Sequence, residues 1–83
     1  MPKDAAPRGR RLTNREVADA IGVTESYVSL IRAGKRLPGA AALVEIAVVF
    51  EFSPKTLYDF VRAYREGQRA LARFLEEHLP RVE

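Results

Sequence analysis

Two helix starts of the same design, eleven residues apart, constrain this chain more than anything else in it. The stretch Asn14 to Ala33 reads NREVADAIGVTESYVSLIRA. Thr13 precedes it as a cap, and Glu16 lies three residues on, the T-x-x-E capping box. Leu12 before the cap and Val17 inside the helix form a hydrophobic staple. Val17, Ala20 and Ile21 recur at helical spacing, and Gly22 ends the pattern. Thr24 then caps a second helix, with Val23 and Val28 as its staple. Val28 and Ile31 face inward, while Glu25, Ser26, Tyr27, Ser29 and Arg32 project outward. Gly34 terminates that helix, the basic turn Lys35-Arg36 follows, and Pro38 prevents continuation.

The spacing has a packing logic. A second helix that crosses the first steeply needs a small residue at the crossing, and Ala18 supplies it. It needs a glycine turn four residues later, which is Gly22, and a branched apolar anchor, which is Val28. That set describes a helix-turn-helix, with Glu25–Ala33 as the helix expected to meet a ligand.

Flanking segments follow the same rules. Residues 1–11 hold Pro2, Pro7 and Gly9 among Lys3, Arg8, Arg10 and Arg11, which predicts a flexible basic arm. A third helix is expected from about Gly39 to Phe50, with Leu43, Ile46, Ala47 and Phe50 on its core stripe and Phe52 plugging the core beyond. Ser53 followed by Pro54 starts a fourth, with Leu57, Phe60, Val61 and Tyr64 expected in the core. Gly67 either sits within one long helix or bends it into two. The pattern resumes with Leu71, Phe74, Leu75 and Leu79 until Pro80. Positions 57, 61, 64, 68, 71, 75 and 78 alternate by four and three, a heptad-like seam interrupted by Gln68 and His78.

Composition narrows the function. Residues 1–36 carry eight Lys/Arg against four Asp/Glu, whereas residues 37–83 carry six against seven. A basic half that contains the two-helix stretch favours a polyanionic partner. There is no cysteine and one histidine, His78, so neither a disulfide nor a structural metal is expected. No cofactor is expected. The N-terminus has no apolar run of the signal-peptide kind, and no apolar run is long enough to span a bilayer, so no membrane association and a cytoplasmic, nucleoid-associated location are expected. No acid–base pair, activated nucleophile or phosphate-cradling loop is evident, so no enzyme is expected. A chain of 83 residues buries a marginal core by itself, which makes a partner subunit a source of stability.

The segment LTNREVADAIGVTESYVSLIRAGKRLPG resembles the XRE family of helix-turn-helix regulators, the group that includes phage lambda-type repressors and Cro proteins. The similarity runs on through Leu43, Ile46, Ala47, Phe50, Ser53 and Leu57, so it spans roughly residues 12–60. It implies an all-α, lambda-repressor-like bundle that binds double-stranded operator DNA as a homodimer. By position, Asn14 matches a phosphate-contacting residue that braces the second helix. Glu25, Ser26, Tyr27 and Ser29 match base-reading positions. Arg32, Lys35 and Arg36 lie where the helix end and loop approach the backbone. The arm residues Arg8, Arg10 and Arg11 would add to that footprint.

Four departures from the family pattern shape the expectations. Glu25 stands where many members have Gln or Arg; it either accepts from a cytosine amino group or stabilises the helix N-terminus. Tyr27 is expected to contact a thymine methyl or the sugar-phosphate rather than to be a plain surface aromatic. Glu51 occupies a place where glycine often ends the third helix. Finally, only an arm precedes Leu12 where the family has a full helix, so the extended C-terminal helix must cover that face, in cis or in a second subunit. The chain is thus expected to comprise an arm (1–11), the DNA-binding domain (12–60) and a C-terminal extension (61–83) that dimerises through Leu71, Phe74, Leu75 and Leu79. A transcriptional repressor fits best. The alternative is an antitoxin or interaction module whose C-terminal helix holds a small protein partner.

Overall fold

The structure, a computed structural model, describes residues 9–82. Five helices follow one another: α1 (Asn14–Ile21), α2 (Glu25–Arg32), α3 (Ala40–Val49), α4 (Pro54–Glu66) and α5 (Gln68–His78). They form the all-α bundle the sequence predicts. Two short strands, β1 (Arg10–Arg11) and β2 (Arg81–Val82), pair antiparallel with Arg10 opposite Val82 and Arg11 opposite Arg81.

The helix starts form as their sequence dictates. Thr13 accepts from the Glu16 amide at 3.1 Å while Glu16 accepts from the Thr13 amide at 2.7 Å, a complete capping box. Thr24 caps α2 through the Tyr27 amide at 3.2 Å, and Ser53 caps α4 through the Thr56 amide at 3.2 Å. Gly22 adopts a left-handed conformation and turns the chain between α1 and α2. α2 ends in a Schellman motif, with the Gly34 amide donating to Ile31 and the Lys35 amide to Leu30. Gly34 is buried at φ 76°, and a Cβ there would meet the Arg69 backbone of α5 at 3.5 Å. The same motif ends α3, but its left-handed position is Glu51, at φ 52°.

The core gathers Val17, Ala18 and Ile21 from α1, Val28 and Ile31 from α2, Ile46 from α3, Phe60 and Ala63 from α4, and Leu71, Phe74 and Leu75 from α5. Phe52 fills the gap after α3 as expected. Its ring meets Phe60 and Phe74 edge-on at 5.1 and 5.6 Å, a favoured aromatic geometry.

Two expectations about residues 53–79 are corrected. Of the two alternatives open at Gly67 the break into two helices is the one found, with a φ of 129° that is outside any helix. α5 then folds back against α2 and α4 of the same chain. Leu71 is 0% exposed, and Phe74 and Leu75 are buried beside it, so these three expected dimer residues belong to the chain's own core; Leu79 packs partly buried against it. Conversely Leu57 and Val61, expected in the core, are exposed, whereas Phe60 is buried as expected, Tyr64 packs partly buried against the core, and α4 adds the small Ala63. α5 thereby forms a lid in cis on α2 and α4, and its buried side chains belong to the same core as those of α1 and α2.

Candidate nucleic-acid interface

α2 lies across α1 with Val28 and Ile31 anchored in the core. Its opposite face carries Glu25, Ser26, Ser29 and Leu30, all exposed. Lys35 and Arg36 are exposed directly after the Schellman turn. Short polar side chains in a row, followed by cations, match what a major groove and its flanking phosphates require. Leu30 is the one member of this face that the sequence reading missed. It stands four residues after Ser26, on the same side of the helix, and an apolar residue in a small domain is assigned to the core by default. An exposed aliphatic side chain at this position suits contact with a thymine methyl.

Tyr27 does two jobs that tie this face together. Its hydroxyl accepts from the Gly39 amide at 2.9 Å, fixing α2 to the start of α3. Its ring carries the Arg36 guanidinium at 5.1 Å from the centroid, within cation–π range. The side chain is half-buried rather than freely projecting, and it brackets the start of α3 and Arg36. Asn14 is half-buried at the first position of α1, beside amides that the helix leaves free.

The remaining expected residues are placed differently. Arg32 does not project outward. It donates to the Leu12 carbonyl at 2.7 Å, joining the end of α2 to the segment before α1, and desolvation pushes its pKa down. Arg10 and Arg11 do not belong to a flexible arm. Arg10 grips Glu16 bidentately at 2.7 Å for both bonds, and Arg11 forms an ion pair with Glu76 of α5. Arg8 lies outside the described residues. The Arg10 hydrogen bonds, with the Thr13 amide second, lower the Glu16 pKa to about 2. The same carboxylate therefore closes the capping box and ties β1 to α1.

His78 stacks on Phe74 with ring centroids 4.1 Å apart and donates from Nδ1 to the Phe74 carbonyl at 3.0 Å. Among the described residues no cluster of His, Cys, Asp or Glu could hold a metal ion, and no helix is long and apolar enough to cross a membrane.

The curated proteins and the solved structures yield no significant match to the chain. The helix-turn-helix family model does match, over residues 9–58, from the strand β1 through the first turn of α4. With that match covering more than half of the sequence, and α2 set on α1 with an exposed polar face, the chain belongs to the XRE-type helix-turn-helix family of DNA-binding transcription regulators.

Proposed function

We propose that the protein is a transcriptional repressor that binds an inverted-repeat operator as a homodimer and acts by occupying the promoter. The observation that supports this best is the outer face of α2, where Glu25, Ser26, Ser29 and Leu30 stand exposed above the Lys35-Arg36 turn. In this reading Ser26, Ser29 and Leu30 meet base edges, and Glu25 sits at the helix start, where a carboxylate is favoured by the dipole and can accept from cytosine. Lys35, Arg36 and Asn14 hold phosphates, and Tyr27 orients Arg36. Arg10 and Arg11, each neutralised by a carboxylate, add less to the footprint than a free arginine would. Dimer symmetry would set two copies of α2 about one DNA turn apart. The rival in which a small protein partner is captured through the apolar stripe of α5 loses its support, because Leu71, Phe74 and Leu75 are buried.

Selection of bound DNA from random sequence tests the reading. It is expected to recover an inverted repeat, and recovery of no enriched motif would sink the proposal. Arg36→Ala should weaken binding to every sequence and reduce the salt slope by about 1. Ser26→Ala should instead alter the preferred base at one position of each half-site, with the salt slope unchanged.

A further inference from the structure

Among the described residues most of the uncovered apolar surface lies on α3 and α4. Val44 and Val48 are 58% and 65% exposed, and Leu57, Tyr58 and Val61 are 41%, 67% and 41% exposed. Between the two helices runs a groove of about 250 Å³ floored by Leu43, Ala47 and Phe60. Together these side chains present on the order of 500 Å² of apolar surface, near the upper end of the largest patch a soluble monomer carries.

We propose that this face binds a second copy of the same chain, with α4 packed antiparallel on the partner's α4 about a two-fold axis between Phe60 and Val61. The inference rests on the homodimer reading above and supplies its surface. Charge order along α4 selects a second copy as occupant. Lys55, Asp59, Arg62 and Glu66 alternate in sign along one flank of the helix, and within the chain they pair as Lys55–Asp59 and Arg62–Glu66, each at 3.3 Å. In a two-fold antiparallel pair each flank meets its own copy. The flank bearing Leu57 and Val61 then closes on apolar surface. On the other flank, reversal sets Lys55 opposite Glu66 of the partner subunit and Asp59 opposite Arg62 of the partner subunit, so each of these four charges meets its opposite.

A partner of uniform charge gains nothing from that pattern, since a rim of alternating sign attracts neither an acidic nor a basic surface, whereas a second copy carries the matching alternation by symmetry. The existing pairs are exposed and lie within one helix, where such pairs contribute little, so exchanging them across the axis costs little and fixes register. The size is also adequate. About 500 Å² of apolar surface plus the charged rim approaches the roughly 800 Å² per partner of a specific interface.

Sedimentation velocity of the whole chain over micromolar concentrations is the test. The parent is expected to run as a dimer. Val61→Glu and Tyr58→Glu should each weaken self-association at least about tenfold. Leu30→Glu, comparably exposed but on α2, should leave it unchanged. Asp59→Arg and Arg62→Asp should each weaken the homodimer, whereas an equimolar mixture of the two should recover a dimer, because the altered flanks are then complementary. Circular dichroism of each variant checks that the helices are retained. A parent that stays monomeric overturns both this inference and the homodimer reading, although DNA selection could still return a single half-site. A dimer indifferent to Val61→Glu and Tyr58→Glu overturns the face alone. Failure of the mixture to associate overturns the antiparallel register.

Discussion

Single side chains here carry several connections at once, and Glu16 carries the most. It accepts from Thr13 and from both terminal nitrogens of Arg10. Its pKa falls to about 2 in the fold, against an ordinary value of 4.5. A carboxylate held below its unfolded value contributes stability that is fully present above about pH 4.5 and is lost as the pH falls towards 2. Thermal melts stepped between those limits should show the parent losing melting temperature with acid, and Glu16→Gln losing less over the same range. A variant whose melting temperature tracks the parent's acid loss degree for degree would refute the assignment. Glu51 is the opposite case, a residue at odds with its backbone. Its φ of 52° is a conformation that a side chain disfavours by roughly 1–2 kcal/mol. Glycine would relieve this strain but add freedom to the unfolded chain, at a cost of about 0.4–1 kcal/mol. Glu51→Gly should therefore raise the free energy of unfolding by about 0.5 kcal/mol, seen as a higher urea midpoint at unchanged slope.

Among the elements, α1 and α2 were legible in the sequence almost to the residue, because their signals are local. A threonine cap, a glutamate three residues later and a glycine at the far end act within one turn each, and no distant contact competes with them. α4 and α5 were legible as helices but not as to which stripe faces which neighbour. Helical periodicity announces an apolar stripe without naming what covers it. On α4 the expectation of a buried Phe60 holds, but the bulk of Leu57 and Val61 drew them inward as well, while the small Ala63 takes the other core position. Arg32 was misplaced for a similar reason. A cation at a helix end suits a phosphate, yet the Leu12 carbonyl twenty residues earlier holds it. The burial of α5 has a measurable sign. Leu71→Ala should destabilise the fold by about 2–5 kcal/mol through the cavity it leaves. Leu30→Ala should stay within about 0.5 kcal/mol. Equal effects in denaturant titrations would contradict the cis packing of α5.

The molecule as a whole divides its surfaces by task. The basic first half of the chain supplies α2 and the Lys35-Arg36 turn, and the near-neutral second half supplies the lid and the apolar α3–α4 face. α5 serves both, since it closes the core beneath α2 while Arg11 and Glu76 bind it to β1. Nothing local in the sequence announces the β1–β2 ladder, as a two-residue strand has no period to detect and its partner lies at the other end of the chain. That ladder also has a mechanical meaning. Arg10 and Val82 form its outer pair, so tension applied through the two ends pulls directly across it. The load falls on one rung at a time, as in a zipper, rather than on all rungs together, as in a lap joint. A domain built this way resists heat through its core but yields to a pull at its seam first, and the five helices feel the force only after the seam has opened.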